Sequence, residues 1–217
     1  MTSAPPEIAS LGVFVFPGVN ALDVIGPFEV LCRLRGVDTA FVAPQVGSVP
    51  SDAPGVHFHA TTSQTDRVWD VLLVPGGRGT DPLIGDAASM EALGAACQRA
   101  RHVLSVCTGA VAVARTGVFP GARATTHWAH RTQLDALGVQ VSTSRTERDG
   151  RWWSAAGVSA GIDLALRFVG ELYGPALAQK FAVAMEYDPD PPFGPGRLDE
   201  LSESARAKMV AALTPRS

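Results

Sequence analysis

The sequence predicts an α/β protein of the flavodoxin-like kind, a doubly wound, mostly parallel sheet with helices on both faces. Three observations predict it. Short continuous apolar runs, Leu11-Gly12-Val13-Phe14-Val15-Phe16, Val71-Leu72-Leu73-Val74 and Val103-Leu104-Ser105-Val106, have the length and character of strands buried on both sides. Helix-forming segments alternate with them, as parallel pairing requires. Each run then ends on a small or special residue, Pro17-Gly18, Pro75-Gly76-Gly77 and Cys107 respectively, at the sheet edge where open α/β folds place their ligands.

Taken in order, residues 1–10 contain Pro5-Pro6 but no basic start or apolar stretch, and read as a flexible leader rather than a signal peptide. Residues 11–217 read as one domain. After the first strand, a loop or short turn carries Asp23 through Gly26, and Pro27 then opens a helix, a position where its missing N–H costs little. Residues 39–43 predict a second strand, and the Gly/Pro/Ser-rich residues 44–55 a surface loop. The alternation of residues 56–60 predicts a short edge or hairpin strand bearing His57 and His59. Two imidazoles on one face suggest a metal site, but a bound zinc normally needs three protein ligands and no third is near, so no metal is expected.

The glycines after Val74 imply close approach of backbone and exposed amides. A phosphate loop would need a following Lys-Ser/Thr, which is absent. Residues 87–101 predict a helix leading to the strand that ends on Cys107. Ala110 to Arg115 favours another helix, so Cys107 sits on a strand-to-helix turn, a nucleophile elbow with sulfur in place of a serine oxygen. The unpaired amides of that helix start favour a thiolate there. A buried core cysteine is the other reading the residues allow.

Beyond the elbow, Gly117 caps the helix, and Ala124-Thr125-Thr126-His127-Trp128 leads into a helix ending near Leu137. His127 is a candidate base for a thiol, though a helix-start hydrogen bond or polar core contact is the commoner fate of such a residue. Residues 139–142, 145–148 and 151–154 predict strands, the last two joined by an Asp149-Gly150 hairpin turn. A small-residue loop through Ala156-Gly157-Val158-Ser159-Ala160-Gly161 precedes helices over 162–172 and 176–185. The proline-rich residues 188–196 exclude regular structure, and an amphipathic closing helix is predicted over 198–213, packed on its own domain or on a partner subunit.

Composition narrows the function. With 46% hydrophobic and 18% charged residues, the chain can bury a core and is too balanced for disorder. A net charge of -3 and the lack of any basic run argue against a nucleic-acid partner. No stretch has membrane-spanning length. Three cysteines, at 32, 97 and 107, without CxxC spacing argue against a disulfide framework or zinc site, and a reducing cytoplasm is the expected compartment.

Pro75-Gly76-Gly77, Ser105-Val106-Cys107-Thr108-Gly109-Ala110 and Ala124-Thr125-Thr126-His127-Trp128 together resemble the glutamine-amidotransferase-like superfamily, which contains the Parkinson-disease protein and the archaeal intracellular protease. Within it, Leu22-Asp23 followed by Gly26-Pro27, with Glu186-Tyr187-Asp188-Pro189 and Pro191-Pro192-Phe193, is most similar to the isocyanide hydratase branch. The protease branch carries histidine directly after its cysteine, where this chain has Thr108. The Parkinson-protein branch uses a glutamate where this chain offers Asp23.

The resemblance implies cysteine-dependent hydration of an isocyanide to an N-substituted formamide, without a cofactor, in a homodimer. It implies Cys107 as nucleophile, Asp23 as proton donor and base, Thr108 as their neighbour, and the amides of Gly77 and Thr108 as holders of negative charge. Ile25, Gly76, Trp128 and Val158 are the expected pocket residues. A glyoxal-consuming thiol enzyme and a non-catalytic redox-sensing or binding protein are the rival functions.

Overall fold

The computed structural model describes residues 8–63, 67–194 and 196–213. Its elements in order are β1 (Ser10–Phe14), α1 (Ala21–Leu31), β2 (Asp38–Ala43), β3 (Gly47–Pro50), β4 (His57–Ala60), β5 (Thr62–Ser63), β6 (Val71–Val74), α2 (Thr80–Gly85), α3 (Ala87–Arg99), β7 (His102–Val106) and α4 (Gly109–Arg115). There follow β8 (Arg123–Ala124), α5 (Arg131–Asp135), β9 (Gln140–Val141), β10 (Thr146–Asp149), β11 (Trp152–Ala155), α6 (Ala160–Tyr173), α7 (Pro175–Ala184) and α8 (Glu203–Leu213).

The central sheet runs β10-β11-β7-β6-β1-β2-β5, with every pair parallel except the antiparallel edge pair β10 and β11. All residues of β1 and β6 are buried, as are those of β7 after His102, which is why these strands read as apolar runs instead of alternating ones. Helix α6 packs on both α1 and α7, and α4 packs with α2, α3 and α5 in a second group, giving the doubly wound arrangement. Trp69, Trp152, Trp153, Phe14, Phe16 and Phe168 are the largest buried side chains.

Sheet order reverses at β1, since the chain goes from β1 to β2 on one side and returns with β6 on the other. A crevice at the carboxyl ends of β1 and β6 is the expected result. Asp23 follows β1, the glycine loop follows β6, and Cys107 follows the adjacent β7.

Several sequence expectations need correction. Helix α1 starts at Ala21, not at Pro27: Asn20 caps it, its Oδ1 accepting the N–H groups of Leu22 and Asp23 at 3.1 Å each. The cap satisfies two first-turn donors, and this outweighs the one hydrogen bond that Pro27 forfeits inside the helix. Asp23 therefore lies in a helical first turn, not in a loop. Helix α2 was not expected at all, and β3, inside the expected surface loop, pairs antiparallel with β4 to complete the predicted hairpin.

In the second hairpin, Asp149 still pairs with Trp152, so the turn residues are Gly150 and Arg151 rather than Asp149 and Gly150. Residues 128–137 divide into a 3₁₀ turn (Trp128–His130) and α5. The expected closing helix over 198–213 is a 3₁₀ turn (Leu198–Glu200) followed by α8, and no residue of α8 is buried, so it does not pack its length on the rest of the described chain. The fold also begins before residue 11, since Ile8 is buried and Ser10 opens β1. The remainder of the expected leader, residues 1–7, lies outside the described residues.

Candidate active site

Cys107 occupies the junction between β7 and α4 with φ 56°, a left-handed backbone that costs a non-glycine residue and is found where surrounding structure holds it in place. The surroundings do hold it. The Cys107 N–H donates to the Ala156 carbonyl at 2.9 Å, and its own carbonyl accepts the Thr126 hydroxyl at 2.7 Å. The neighbouring α4 is packed so close beneath the sheet that Gly109 lies against the Val74 carbonyl.

Asp23 is fully buried. Its Oδ2 accepts the Gly76 N–H at 2.9 Å, Oδ1 has no well-formed hydrogen bond, and the Cys107 thiol is the side chain that reaches the carboxyl. Burial, opposed by the Gly76 bond and aided by the charge of Asp52, pushes Asp23 up to about 7. Burial likewise pushes Cys107 up to about 12, with the Asp23 charge adding to it, against the opposing N–H groups of Thr108 and Val158.

The thiolate expected from the helix start alone is thus corrected, because desolvation outweighs the amides while Asp23 is ionised. The two groups titrate as a pair. Between about 7 and about 12 that pair holds a single proton. Cys107 as a residue is 8% exposed, whereas Asp23 is fully buried.

The glycine loop also departs from expectation. The Gly77 N–H, expected to face an anion, donates to Thr108 Oγ1 at 3.0 Å. Thr108 Oγ1 lies 2.8 Å from Thr80 Oγ1 as well, so the hydroxyl joins the loop to the turn and to α2. Gly76 is needed for closeness: a Cβ there would stand 2.4 Å from Thr108 Oγ1 and 2.5 Å from Thr108 N. It serves packing, and its N–H holds Asp23. The amides aimed at the sulfur come from Thr108 and Val158. Val158 was expected only as an apolar wall, and its backbone role left no trace in the residue type.

Ile25 is two residues past Asp23 and 38% exposed, on the opposite side of α1 from the buried carboxyl. Trp128 is half-buried and lies with its ring centre 5.2 Å from that of His127. It walls a cavity of about 550 Å³ whose other side is Leu198, Leu201 and Met209 from the C-terminal arm. His127 forms the helix-start bond, its Nδ1 accepting the Ala129 N–H at 3.3 Å, and burial lowers its basicity, with help from His130 and Arg131. Its ring abuts Gly157, next to Val158. His57 and His59 are exposed on β4, and among the described residues no group of three or more His, Cys, Asp or Glu could hold a metal.

Fold and site together define a class: doubly wound α/β proteins with a cysteine on a strand-to-helix turn, set against a buried acid. The chain belongs to the DJ-1/PfpI family, whose sequence profile matches residues 9–171. It is 39% identical to an isonitrile hydratase from Pseudomonas putida over 190 residues, 87% of this chain and 83% of that protein. It is 30% identical to the Parkinson disease protein 7 homolog of Danio rerio, across 76% of this chain and 90% of that one. A crystal structure of a ThiJ/PfpI family protein from Pseudomonas syringae superposes with a TM-score of 0.90 at 32% identity, covering 96% of this chain and 88% of that one.

Proposed function

We propose that the protein is an isocyanide hydratase, a lyase that adds water to an isocyanide carbon through a cysteine nucleophile. The observation that carries this reading is the buried Asp23 carboxyl set against the Cys107 thiol, a pair whose first proton is lost near 7. The similarity to an isonitrile hydratase along most of both chains supports the substrate class.

An isocyanide carbon is electrophilic and carries no hydrogen. Asp23 takes the Cys107 proton, the sulfur electron pair forms an S–C bond to the terminal carbon, and Asp23 returns the proton to that carbon, giving a thioimidate, R–N=CH–S–Cys. Water then adds to the C=N carbon with Asp23 as base, one proton going to nitrogen. The C–S bond breaks, the sulfur recovers its proton, and the N-substituted formamide leaves.

The Thr108 and Val158 amides face the sulfur and favour its charged form. The Thr108 hydroxyl acts by holding the glycine loop in register. Trp128 contributes an apolar wall. In this reading the chain works as a single domain in a homodimer without a cofactor. Its three free thiols suit a reducing cytoplasm.

The test is incubation of purified protein with a simple aryl isocyanide and, in parallel, with methylglyoxal, following formamide and glyoxal by chromatography. Formamide formation is the expected result. Glyoxal loss without formamide overturns the hydratase reading in favour of the glyoxal rival.

A further inference from the structure

We infer that Arg145, Asp163 and Tyr187 form a brace that positions the loop anchoring the Cys107 backbone, so that three residues with no contact to the thiol tune its reactivity. The inference rests on reading Cys107 as the reacting sulfur. It concerns the loop between β11 and α6, residues 156–159, which holds the Cys107 N–H through the Ala156 carbonyl and passes Val158 beside the sulfur.

The loop is held at both ends by one residue. The Arg145 carbonyl accepts the Ala156 N–H at 2.9 Å, and the Ala156 carbonyl accepts the Cys107 N–H at 2.9 Å. The Arg145 side chain then reaches the far end, where Nη2 donates to Ser159 Oγ at 3.3 Å. Ser159 stands at the N-cap of α6 but makes no side-chain cap, so its hydroxyl is given to Arg145 and not to the helix. Val158 lies between these two anchor points.

Asp163 and Tyr187 fix the guanidinium in turn. Arg145 Nε donates to Asp163 Oδ2 at 2.7 Å and Nη2 approaches the same oxygen at 2.6 Å, while the Tyr187 hydroxyl donates to the carboxylate at 3.1 Å. Tyr187 arrives there because Glu186, just past α7, takes φ 50°, a left-handed conformation that a glutamate does not adopt without being held. The Arg145 side chain is 55% exposed and Asp163 33%. An ion pair so open contributes little to stability, which leaves geometry as the reason for two-point contact plus a tyrosine. The other groups bearing on the sulfur are Asp23 from α1, with Asp52 acting on Asp23, and the Thr108 amide and hydroxyl; none belongs to the brace, and the His127 ring packs on Gly157 of the loop.

The test compares wild type with Tyr187→Phe, Asp163→Asn and Arg145→Lys in the full chain. Iodoacetamide alkylation of Cys107 is followed from pH 6 to 10 by mass spectrometry of its peptide, and Cys32 in the same molecule serves as control. Expected is a fall of about three- to tenfold in Cys107 alkylation at neutral pH, with Cys32 unchanged, the melting temperature nearly unmoved, and kcat for isocyanide reduced at constant KM. Arg145→Lys, which keeps the charge but loses the fork, is not expected to restore the rate. Cys107 alkylation equal to wild type in the folded Tyr187→Phe protein overturns the inference, even where melting drops. Alkylation needs no isocyanide, so the brace and the hydratase reading fail separately.

Discussion

The Gly77 N–H donates to Thr108 Oγ1 at 3.0 Å, tying the loop after β6 to the turn after β7 through one buried hydroxyl that also meets Thr80. Thr108→Val removes the acceptor and leaves that amide and the Thr80 hydroxyl unpaired in a buried place. A loss of about 1–3 kcal/mol in a urea melt is expected, together with slower turnover. Thr108→Ser is expected to keep both. A valine variant as stable as wild type would show that the hydroxyl link is dispensable.

Cys107→Ala is expected to abolish formamide production while shifting the melting temperature by only a few degrees. Alanine meets the same φ of 56° as cysteine, so backbone strain is unchanged. Product formed at an undiminished rate by the folded variant removes the sulfur from the mechanism.

Asp23→Asn is expected to slow kcat by roughly 10²- to 10⁴-fold, the usual weight of a positioned proton donor, and to stabilise the protein above pH 7. Asp23 is held at about 7 in the fold against 3.8 for an ordinary aspartate. The stability it contributes is therefore fully present below 3.8 and is lost as pH rises through 7, a difference of about 4 kcal/mol. Asparagine carries no charge to desolvate, and its Oδ1 still accepts from Gly76. Chemical denaturation of both proteins at pH 4 and pH 8 checks this; equal gains at the two pH values would contradict it.

kcat/KM for isocyanide is expected to rise with pH through a midpoint near 7 and then level off. Below that midpoint both Asp23 and Cys107 carry protons, so no base is present to take the thiol hydrogen. Above it the pair keeps one proton, which is what attack followed by carbon protonation consumes. A profile falling through 7 would mean that the doubly protonated pair is the working form.

Much of this was legible in the residues. The unbroken apolar runs of β1, β6 and β7 are dictated by burial on both faces, so a parallel sheet could be read without coordinates. The position of Cys107 between a strand and a run of helix formers located the turn in the same way. The place of Asp23 after β1 is legible too, but its helical setting is not, because Pro27 has the character of a helix start while the cap that fixes the start of α1 is Asn20. The Gly77 amide was assigned to an anion because exposed amides are the general consequence of glycine loops, and nothing in residue type announces a threonine hydroxyl from 31 residues away.

The residues alone dictate the main buried strands, the helices that follow them and the turn that carries Cys107, because hydrophobic run length, capping and turn chemistry act within a few positions. Three-dimensional packing alone sets the burial that couples the acid to the thiol, brings the Val158 amide to the sulfur and lets Arg145 span the loop that bears it. Those outcomes depend on desolvation and on the meeting of segments far apart in the chain, and neither is a property of any short stretch of residues.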